Sequence, residues 1–460
     1  MSGSPAHDWR LAPAAGLTWA GCWAGLVAPT SVTWAGVLCL LVGAAVLLRH
    51  QRRCHRRRHH ARTGHACTTT GVLALLIAAV VLAGLAVRVE QRAEEVAALD
   101  GVTAEVWLRL TKEPVPLDGR PGVRADAILV TANGANVDLP VLVLADESWR
   151  DLLVGTELRV VGRLAATERG DDRALLVLPS GSGERDPPHG WWSVVAELRS
   201  GLVQVSTELP PAARGLVPGI ALGDDRGLPP ALQQAMRDTS LTHLTAVSGA
   251  HVALVLAVVL LVMFWAPRAV RAGVGGVVLI AFVALVRPDG SVLRSAVMGA
   301  VLLVGLCLRR PRAALPALAT AVIVLLAADP WMVRSFGFAL SVLATGGLLA
   351  GTGPLAERLG QWLPRPLAWA VAVPVAAQLA CTPVLLLLDP AVPLYAVPAN
   401  LLAGPAVAPA TIFGLVAALL APWAPDTASA VAIAASWFTA WISSVALVFG
   451  ALPGARVEIA

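Results

Sequence analysis

Long apolar stretches alternate with short polar segments along most of this chain. A helix needs roughly 17–25 apolar residues to cross a bilayer, and about eleven stretches approach that length. They lie near residues 11–29, 31–48, 67–89, 243–265, 272–287, 291–308, 313–328, 332–352, 367–388, 394–420 and 427–450. The pattern predicts a polytopic α-helical membrane protein with about eleven transmembrane helices.

Residues 100–186 follow a different period. In "GVTAEVWLRLT", every second residue from Val102 to Leu110 is apolar, which is typical of a half-buried β-strand. Similar patterns occur near 123–131, 137–144, 157–164 and 173–179, separated by loops such as "NGAN". About five short strands in about 80 residues predict a small closed β-barrel, similar to the oligonucleotide-binding (OB) fold.

These patterns divide the chain into three predicted domains. Residues 1–99 hold the first transmembrane helices, 100–186 the inserted OB-like barrel, and 187–460 a helical membrane domain. The linker "GSGERDPPHG" precedes "WWSVVAELRSGLVQVSTELP", whose paired tryptophans and spaced aliphatic residues predict an amphipathic helix at the membrane surface.

Composition supports a membrane protein, and the positions of the charges predict its orientation. The chain is 57% hydrophobic and 14% charged, with a net charge of +5. Lys112 is the only lysine, and arginines cluster in the segment 49–62, which the positive-inside rule places in the cytoplasm. In the later part of the chain, every second loop carries arginines: Arg268, Arg271, Arg309, Arg310, Arg312, Arg358 and Arg365. The loops between them carry one aspartate each: Asp289, Asp329 and Asp389. Both patterns place the barrel outside the cytoplasm.

The barrel sequence is ambiguous about nucleic-acid binding. OB barrels bind single strands by stacking bases on aromatic side chains along a cationic groove. Residues 101–186 contain ten Arg or Lys against fourteen Asp or Glu, and their only aromatic residues are Trp107 and Trp149. A local groove built from Arg109, Lys112, Arg120 and Arg124 is one prediction, and a purely structural barrel is the other.

A few polar residues inside the apolar stretches are the candidates for chemistry. On an ideal helix His243, Ser248 and His251 share one side, and Arg294 follows one turn into its span with Ser291 and Ser295 on neighbouring faces. Ionisable groups at membrane depth usually face a bundle interior or a water-filled path. Four glycines in these spans favour close approach of helices: Gly249, Gly337, Gly346 and Gly347. Five prolines predict interruptions of the later spans: Pro374, Pro383, Pro398, Pro405 and Pro409.

Four separated motifs resemble the competence protein ComEC family, the inner-membrane DNA-uptake channel of natural transformation. They are "HLTAVSGAHVALV", "GSVLRSAVMGAVLLVG", "DPWMVRSFGFALSVLATGGLL" and "AAQLACTPVLLLLDPAVPLYAVPANLLAGPAVAP", in order across about 190–420. The chain departs from the family pattern at Ala250, Ser295 and Ala339. The resemblance implies that 187–460 is a ComEC-type channel domain in the bacterial cytoplasmic membrane.

The resemblance also implies the cargo and its path. A single DNA strand would cross along a wet, partly cationic passage, and the side chains placed along it are His243, Ser248, Gly249, His251, Arg294, Ser295, Arg334, Phe338 and Ser341. No enzymatic activity, metal or cofactor is expected, and there is no GxxxxGK[ST] phosphate loop. Expected partners are single-stranded DNA, the lipid bilayer, an external DNA receptor, and an ATP-driven translocase or a separate nuclease; homodimerisation stays open.

Many members of the family continue into a metallo-β-lactamase-like domain. The last histidine of this chain is His251, so we expect that this polypeptide does not itself carry that nuclease. Two other function classes stay open. One is a secondary transporter of a small anion built on broken helices. The other is an intramembrane serine protease, because "AVSGAH" resembles the serine context of those enzymes; a helical Ser248–His251 pair is not expected to align its hydroxyl with the ring nitrogen.

Overall fold

The computed structural model of the chain describes two compact units, each of them continuous in space but not in sequence. The first comprises residues up to Ala196 together with Ala319–Ser335, and the second comprises Glu197–Leu318 and Phe336–Ala460. The residues that the structure describes are 9–57, 62–117, 120–286, 290–308, 314–388 and 391–458.

The first unit opens with three packed helices. They are α1 (Ala12–Val27), α2 (Thr30–Arg57) and α3 (Arg62–Leu99). Glycines on α1 allow α3 to approach closely, because a Cβ on Gly21 would lie 2.5 Å from Leu82 and one on Gly25 2.7 Å from Leu85. Both leucines are buried, so the three helices form a tight bundle around α3.

A closed β-barrel follows α3. Its strands are β1 (Thr103–Leu110), β2 (Val115–Pro116), β3 (Val123–Ala132), β4 (Ala135–Ala145), β5 (Glu157–Ala166) and β6 (Leu175–Asp186). The sheet runs β1-β5-β6-β4-β3-β2, and an additional β1–β3 pairing closes it through five strands. All of these pairings are antiparallel except β4–β6, which is parallel. The predicted five-stranded OB-like barrel is confirmed.

The period-2 pattern of the sequence determines which side chains fill the barrel. Along β1 the residues at 104, 106, 108 and 110 are buried, and those at 103 and 105 are exposed. Their neighbours from the other strands complete one apolar core, and Trp149 from the β4–β5 connection is fully buried in it. Trp149 is therefore a core residue, and Trp107, which is half-buried, is the aromatic residue that reaches the barrel surface.

The remaining helices complete the two units. They are α4 (Trp191–Ser206), α5 (Pro211–Leu222), α6 (Pro230–Asp238), α7 (Gly249–Val262), α8 (Arg268–Val286), α9 (Gly290–Cys307), α10 (Ala314–Ala328), α11 (Phe336–Leu359), α12 (Arg365–Leu388), α13 (Ala396–Leu420) and α14 (Pro425–Gly450). Two short strands, β7 (Ala391–Pro393) and β8 (Arg456–Glu458), pair antiparallel in the second unit. The helix predicted from "WWSVVAELRSGLVQVSTELP" is confirmed as α4.

Nine helical segments of the described chain are long and apolar enough to cross a membrane, with α7 counted together with the 3₁₀ turn before it as Thr242–Val262. Their outward faces are apolar, as on α8, where Val277 is 68% and Ile280 72% exposed. The chain is thus a polytopic helical membrane protein with a small barrel. The predicted count of about eleven included α1 and α10, which have 16 and 15 residues and are shorter than a full span.

The predicted interruption of the later spans by proline is wrong for the helices observed. Two of the five prolines lie inside a continuous α12 (Pro374 and Pro383), and the other three lie in a continuous α13, Pro398 in its first turn and Pro405 and Pro409 further inside. Transmembrane helices tolerate proline where neighbouring groups satisfy the backbone atoms that it leaves unpaired.

Candidate functional site

The segment before α7 is not the continuous helix that the sequence suggested. Thr242–Leu244 forms a short 3₁₀ turn, and the next regular helix starts at Gly249. Ser248, with extended backbone angles of φ −122° and ψ 177°, is the N-cap residue of α7. Serine favours this position because its side chain competes for helix-terminal backbone groups. The ideal-helix geometry assumed for His243, Ser248 and His251 therefore does not hold, because the segment is not one continuous helix.

Ser248 and His251 are in contact at the beginning of α7. Nδ1 of His251 accepts the backbone N–H of Ser248 at 3.1 Å, and the Ser248 hydroxyl also lies 3.1 Å from Nδ1. Contrary to the expectation from sequence, the hydroxyl does face a ring nitrogen, because the serine caps the helix from outside it. A nitrogen that accepts an N–H carries no proton, so the proton of this ring lies on Nε2. Nε2 is buried and has no hydrogen-bond partner in the described part of the chain.

His243 has a different environment from His251. It is exposed, and its Nδ1 lies 2.9 Å from the carbonyl oxygen of Ser240. A carbonyl only accepts, so this nitrogen is the donor. His243 therefore lies on the accessible surface of the 3₁₀ turn, whereas His251 is 2% exposed in the helix.

Arg294 is the most deeply buried guanidinium among the predicted site residues, with 4% of its surface exposed. Its Nε donates to the Ser341 hydroxyl at 2.8 Å and its Nη2 to the Ser295 hydroxyl at 3.0 Å. Its Nη1 lies 3.0 Å from the sulfur of Met298, one turn further along α9. The three groups are neutral, so they orient the guanidinium without cancelling its charge.

The hydroxyls around Arg294 form a network that joins α9 to α11. Ser291 and Ser341 lie 3.0 Å apart, oxygen to oxygen, and Ser295 donates to the Ser291 carbonyl at 2.8 Å. Ser341 thus contacts two residues of α9 from the neighbouring helix. Each hydroxyl can both donate and accept, so the network can exchange partners without leaving an atom unsatisfied.

Gly249 brings the beginning of α7 against this network. A Cβ at Gly249 would lie 2.9 Å from the Ser295 oxygen and 3.1 Å from Nη2 of Arg294. Only glycine allows this approach without displacement of a neighbour. The positive end of the α7 dipole therefore faces a buried positive charge.

We call Gly249, Ser291, Arg294, Ser295 and Ser341 the arginine–serine cluster. No salt bridge to Arg294 occurs among the described residues. The buried carboxylate of Asp224 pairs with Arg226 instead. A buried charge without a counter-ion costs several kcal/mol, and an anion would relieve that cost. The cluster is thus suited chemically to an oxyanion such as phosphate.

Two further predicted residues lie on α11 and on the 3₁₀ turn before it. Phe338 is fully buried on α11. Arg334 belongs to the first unit, where its Nη1 lies 3.5 Å from the carbonyl oxygen of Arg169 in the β5–β6 loop. Its placement along a DNA path stays a prediction.

The predicted cations of the barrel are found on its surface, and two of them have acidic neighbours. Arg109 lies 3.9 Å from Glu157, and Lys112 lies 4.0 Å from Asp126. Arg120 and Arg124 are exposed. Arg159, which the sequence did not single out, lies over the Trp107 ring at 5.9 Å from its centroid. DNA binding by this surface stays a prediction.

Sequence reasoning missed a buried ionic group between α5 and α6. Arg226 donates to both carboxylate oxygens of Asp224 at 2.8 Å, and Asp224 is 5% exposed. Burial acts to raise the pKa of Asp224, but the bonds from Arg226 and the nearby Arg199 outweigh it and lower that pKa below its usual value. The buried Arg199 donates to the Leu222 and Leu285 carbonyl oxygens, at 3.0 and 2.9 Å. The signal was "GDDRG", three charges directly after the apolar helix α5.

The described residues contain no group of three or more His, Cys, Asp or Glu that could hold a metal ion.

Comparison with known proteins identifies the family of the chain. The family model described as "Competence protein" matches residues 220–460, which is more than half of the chain. The chain belongs to the competence protein family. The match covers every member of the arginine–serine cluster.

One curated relative supports the same family. The chain is 28% identical over 242 residues to ComE operon protein 3 of Bacillus subtilis (strain 168). The aligned region is 51% of this chain and 30% of that protein, so the chain spans less than a third of its relative's length. No solved structure matches the chain.

Proposed function

We propose that this chain forms a conduit through which a single DNA strand crosses the bacterial cytoplasmic membrane during natural transformation. Membership of the competence protein family supports a role in DNA uptake, and nine apolar helices provide the membrane-spanning body. The observation that carries the conduit itself is Arg294, a guanidinium inside these helices whose hydrogen-bond partners among the described residues are all neutral.

The electrostatics of the cargo explain why this observation matters. A strand carries one negative charge for each phosphate, and transfer of such a charge into hydrocarbon is prohibitive. A path must therefore offer cations and hydroxyls that replace water. Arg294 can bind a phosphate through two parallel N–H donors, and the serines around it can exchange partners as the phosphate leaves.

Passage requires movement of helices, because Arg294 is only 4% exposed in this conformation. The Ser341 hydroxyl accepts from Arg294 and bonds to Ser291, and these are contacts between α9 and α11 that a phosphate would replace. We therefore interpret this conformation as closed, with Ser341 in the position that a phosphate oxygen takes during transport.

The proposed route extends beyond this chain. An external DNA receptor delivers the strand, and an ATP-driven translocase or a separate nuclease on the inside supplies direction. The barrel lies outside the cytoplasm in this scheme, in line with the distribution of arginines between the loops.

The Ser248–His251 contact favours one second candidate, an intramembrane serine protease. The 3.1 Å distance fits a nucleophile and its base. However, Nδ1 also accepts the Ser248 N–H, an interaction that a helix cap explains without catalysis. The two functions differ in what Ser248→Ala removes: a protease loses all activity, whereas a conduit keeps most of its transport.

The direct test is DNA uptake in a competent strain that lacks the gene. Fluorescent double-stranded DNA is supplied, and the label that reaches the cytoplasm is measured with the wild-type chain, Ser248→Ala or no chain restored. We expect no internal label without the chain and near wild-type label with Ser248→Ala. Normal uptake without the chain would contradict the conduit, and complete loss with Ser248→Ala at normal protein abundance would favour the protease.

A further inference from the structure

The first compact unit contains a cavity of about 610 Å³ that no member of the arginine–serine cluster lines. Its walls are the last part of α3, the turn between α1 and α2, the β5–β6 loop and the 3₁₀ turn Pro330–Arg334. This volume lies within the usual range for a pocket that holds a small molecule or headgroup.

The sequence of α3 places the cavity at the level of lipid headgroups. The run from Gly71 to Val87 contains only glycine and apolar residues, and its 17 residues span about 26 Å as a helix, close to the thickness of the hydrocarbon layer. The cavity wall on α3 begins just beyond this run, at Val89. Trp34 donates to Glu90 at 3.2 Å, and Arg92 lies over the Trp331 ring at 4.6 Å. Tryptophans at this depth are typical of a membrane interface.

The charges of the lining indicate which ligand fits. Four carboxylates and two guanidiniums line the cavity, so its net charge is −2 (Glu90, Glu94, Asp100 and Glu168; Arg92 and Arg169). Arg92 is already compensated by the Trp331 ring and by the nearby Asp171, Asp172 and Asp329. An anionic lipid or a DNA phosphate would be repelled, and an ammonium group would be attracted.

The apolar part of the lining favours a lipid over a soluble amine as the ligand of this cavity. Leu26, Val89 and Val96 provide apolar walls next to the carboxylates. A soluble diamine or polyamine would leave this surface without a partner. A lipid headgroup, continued by its glycerol and first acyl carbons, would cover both surfaces at once.

We infer that the cavity binds the headgroup of a zwitterionic phospholipid that carries a primary amine. Glu94 and Glu168 bind the ammonium group, and Arg169 binds the phosphate. All three side chains are exposed at the cavity, so they can reach a ligand without rearrangement of the helices. This inference is independent of DNA transport.

The test measures lipid binding to the full-length purified protein. The protein is delipidated in detergent, titrated with phosphatidylethanolamine, and the bound lipid is measured by native mass spectrometry. We expect saturable binding of one lipid, and binding weakened about tenfold by Glu94→Gln or Glu168→Gln, since each removes one charge-assisted hydrogen bond. The matched control is Glu95→Gln, which removes the same charge from the next residue of α3 but does not border the cavity.

Separate titrations identify the headgroup. Phosphatidylglycerol is expected to bind at least about tenfold more weakly, because it lacks the ammonium group, and spermidine is expected not to compete. Equal binding of phosphatidylglycerol, efficient competition by spermidine, or an equal effect of Glu94→Gln and Glu95→Gln would each overturn the inference. Unfolding temperatures of the variants show whether any loss reflects misfolding.

Discussion

The cations of the barrel and the guanidinium of the helical unit have opposite surroundings. In the barrel, Arg173 lies 2.7 Å from Asp126 and Arg109 lies 3.9 Å from Glu157, and these side chains are partly exposed. Arg294 is 4% exposed, and its described hydrogen bonds go to two hydroxyls and a thioether. Surface pairs contribute about 0–1 kcal/mol, whereas a buried charge without a counter-ion costs several kcal/mol. The charges of Arg173 and Arg109 are thus paired within the barrel, whereas the charge of Arg294 has no counter-ion among the described residues.

The largest effect is expected from Arg294→Gln. Glutamine keeps hydrogen-bonding groups but removes the charge, so the proposed phosphate contact loses its electrostatic part. A contact worth about 3–5 kcal/mol corresponds to a fall in uptake of about a hundredfold or more. The measurement is cytoplasmic label from fluorescent DNA, normalised to the amount of protein in the membrane.

The matched control for this variant is Arg365→Gln, which removes an exposed arginine at the start of α12. We expect it to transport normally. If both variants transport equally well, the charge of Arg294 is not used, and the difference between the two regions has no functional meaning.

Gly249→Ala is expected to give the next largest effect. The added methyl group would lie 2.9 Å from the Ser295 oxygen and 3.1 Å from Arg294, so α7 must move away from the arginine–serine cluster. Overpacking of this kind costs about 1–3 kcal/mol, and uptake should fall about tenfold. Gly273→Ala in α8 is the control, because nothing lies within 4 Å of its new Cβ. Equal uptake by the two variants would show that the close approach at Gly249 is not needed.

Most of the fold was predictable because it depends on local patterns. The period-2 alternation of "TAEVWLRL" identifies β1 and its buried side, and the apolar runs identify the helices. The closure of the barrel through β1–β3 and β4–β6 was expected only by analogy with a known fold, because pairing between distant strands leaves no local signal. The predicted interruption by proline was wrong because α12 and α13 continue through their prolines, as transmembrane helices can where the freed backbone groups are satisfied.

The candidate site was predictable in its members but not in its arrangement. Arg294 and the serines stand out because polar residues are rare in apolar spans. The contact of Ser341 with α9 links residues 47 and 50 positions apart, which spacing on one helix cannot reveal. The non-helical backbone at Ser248 was missed because an apolar run alone does not specify where a helix begins. The Asp224–Arg226 pair was missed because charged residues next to glycine are typical of an exposed loop, and the sequence does not show that this one is buried.

Ser341→Ala is expected to have a smaller effect than the loss of Arg294. The variant removes the acceptor of Nε of Arg294 and the partner of Ser291, but the charge that binds phosphate stays. An unsatisfied buried donor costs about 1–3 kcal/mol, so the purified protein should unfold at a lower temperature and uptake should fall about fivefold. Ser444→Ala on α14 is the control, because its hydroxyl is exposed and bonds only within its own helix in the described contacts. An unchanged unfolding temperature in Ser341→Ala would contradict a role for Ser341 in holding α9 to α11.

The smallest effect is expected in the barrel, where Glu157→Gln tests whether a paired cation can be released for DNA. Arg109 lies 3.9 Å from Glu157, and both are about one-third exposed, so the pair is weak. Loss of the carboxylate should raise the affinity of the full-length protein for a fluorescent oligothymidylate by about twofold, and the slope of log affinity against log salt should steepen by up to about 0.7, the value for one phosphate of a single strand. Asp138→Asn removes the same charge from an exposed position of β4 and is the control. An equal gain in both variants would mean that only the net charge of the barrel matters. No gain in Glu157→Gln would mean that Arg109 does not face the strand, which leaves the structural barrel as the better interpretation and widens the contrast with Arg294.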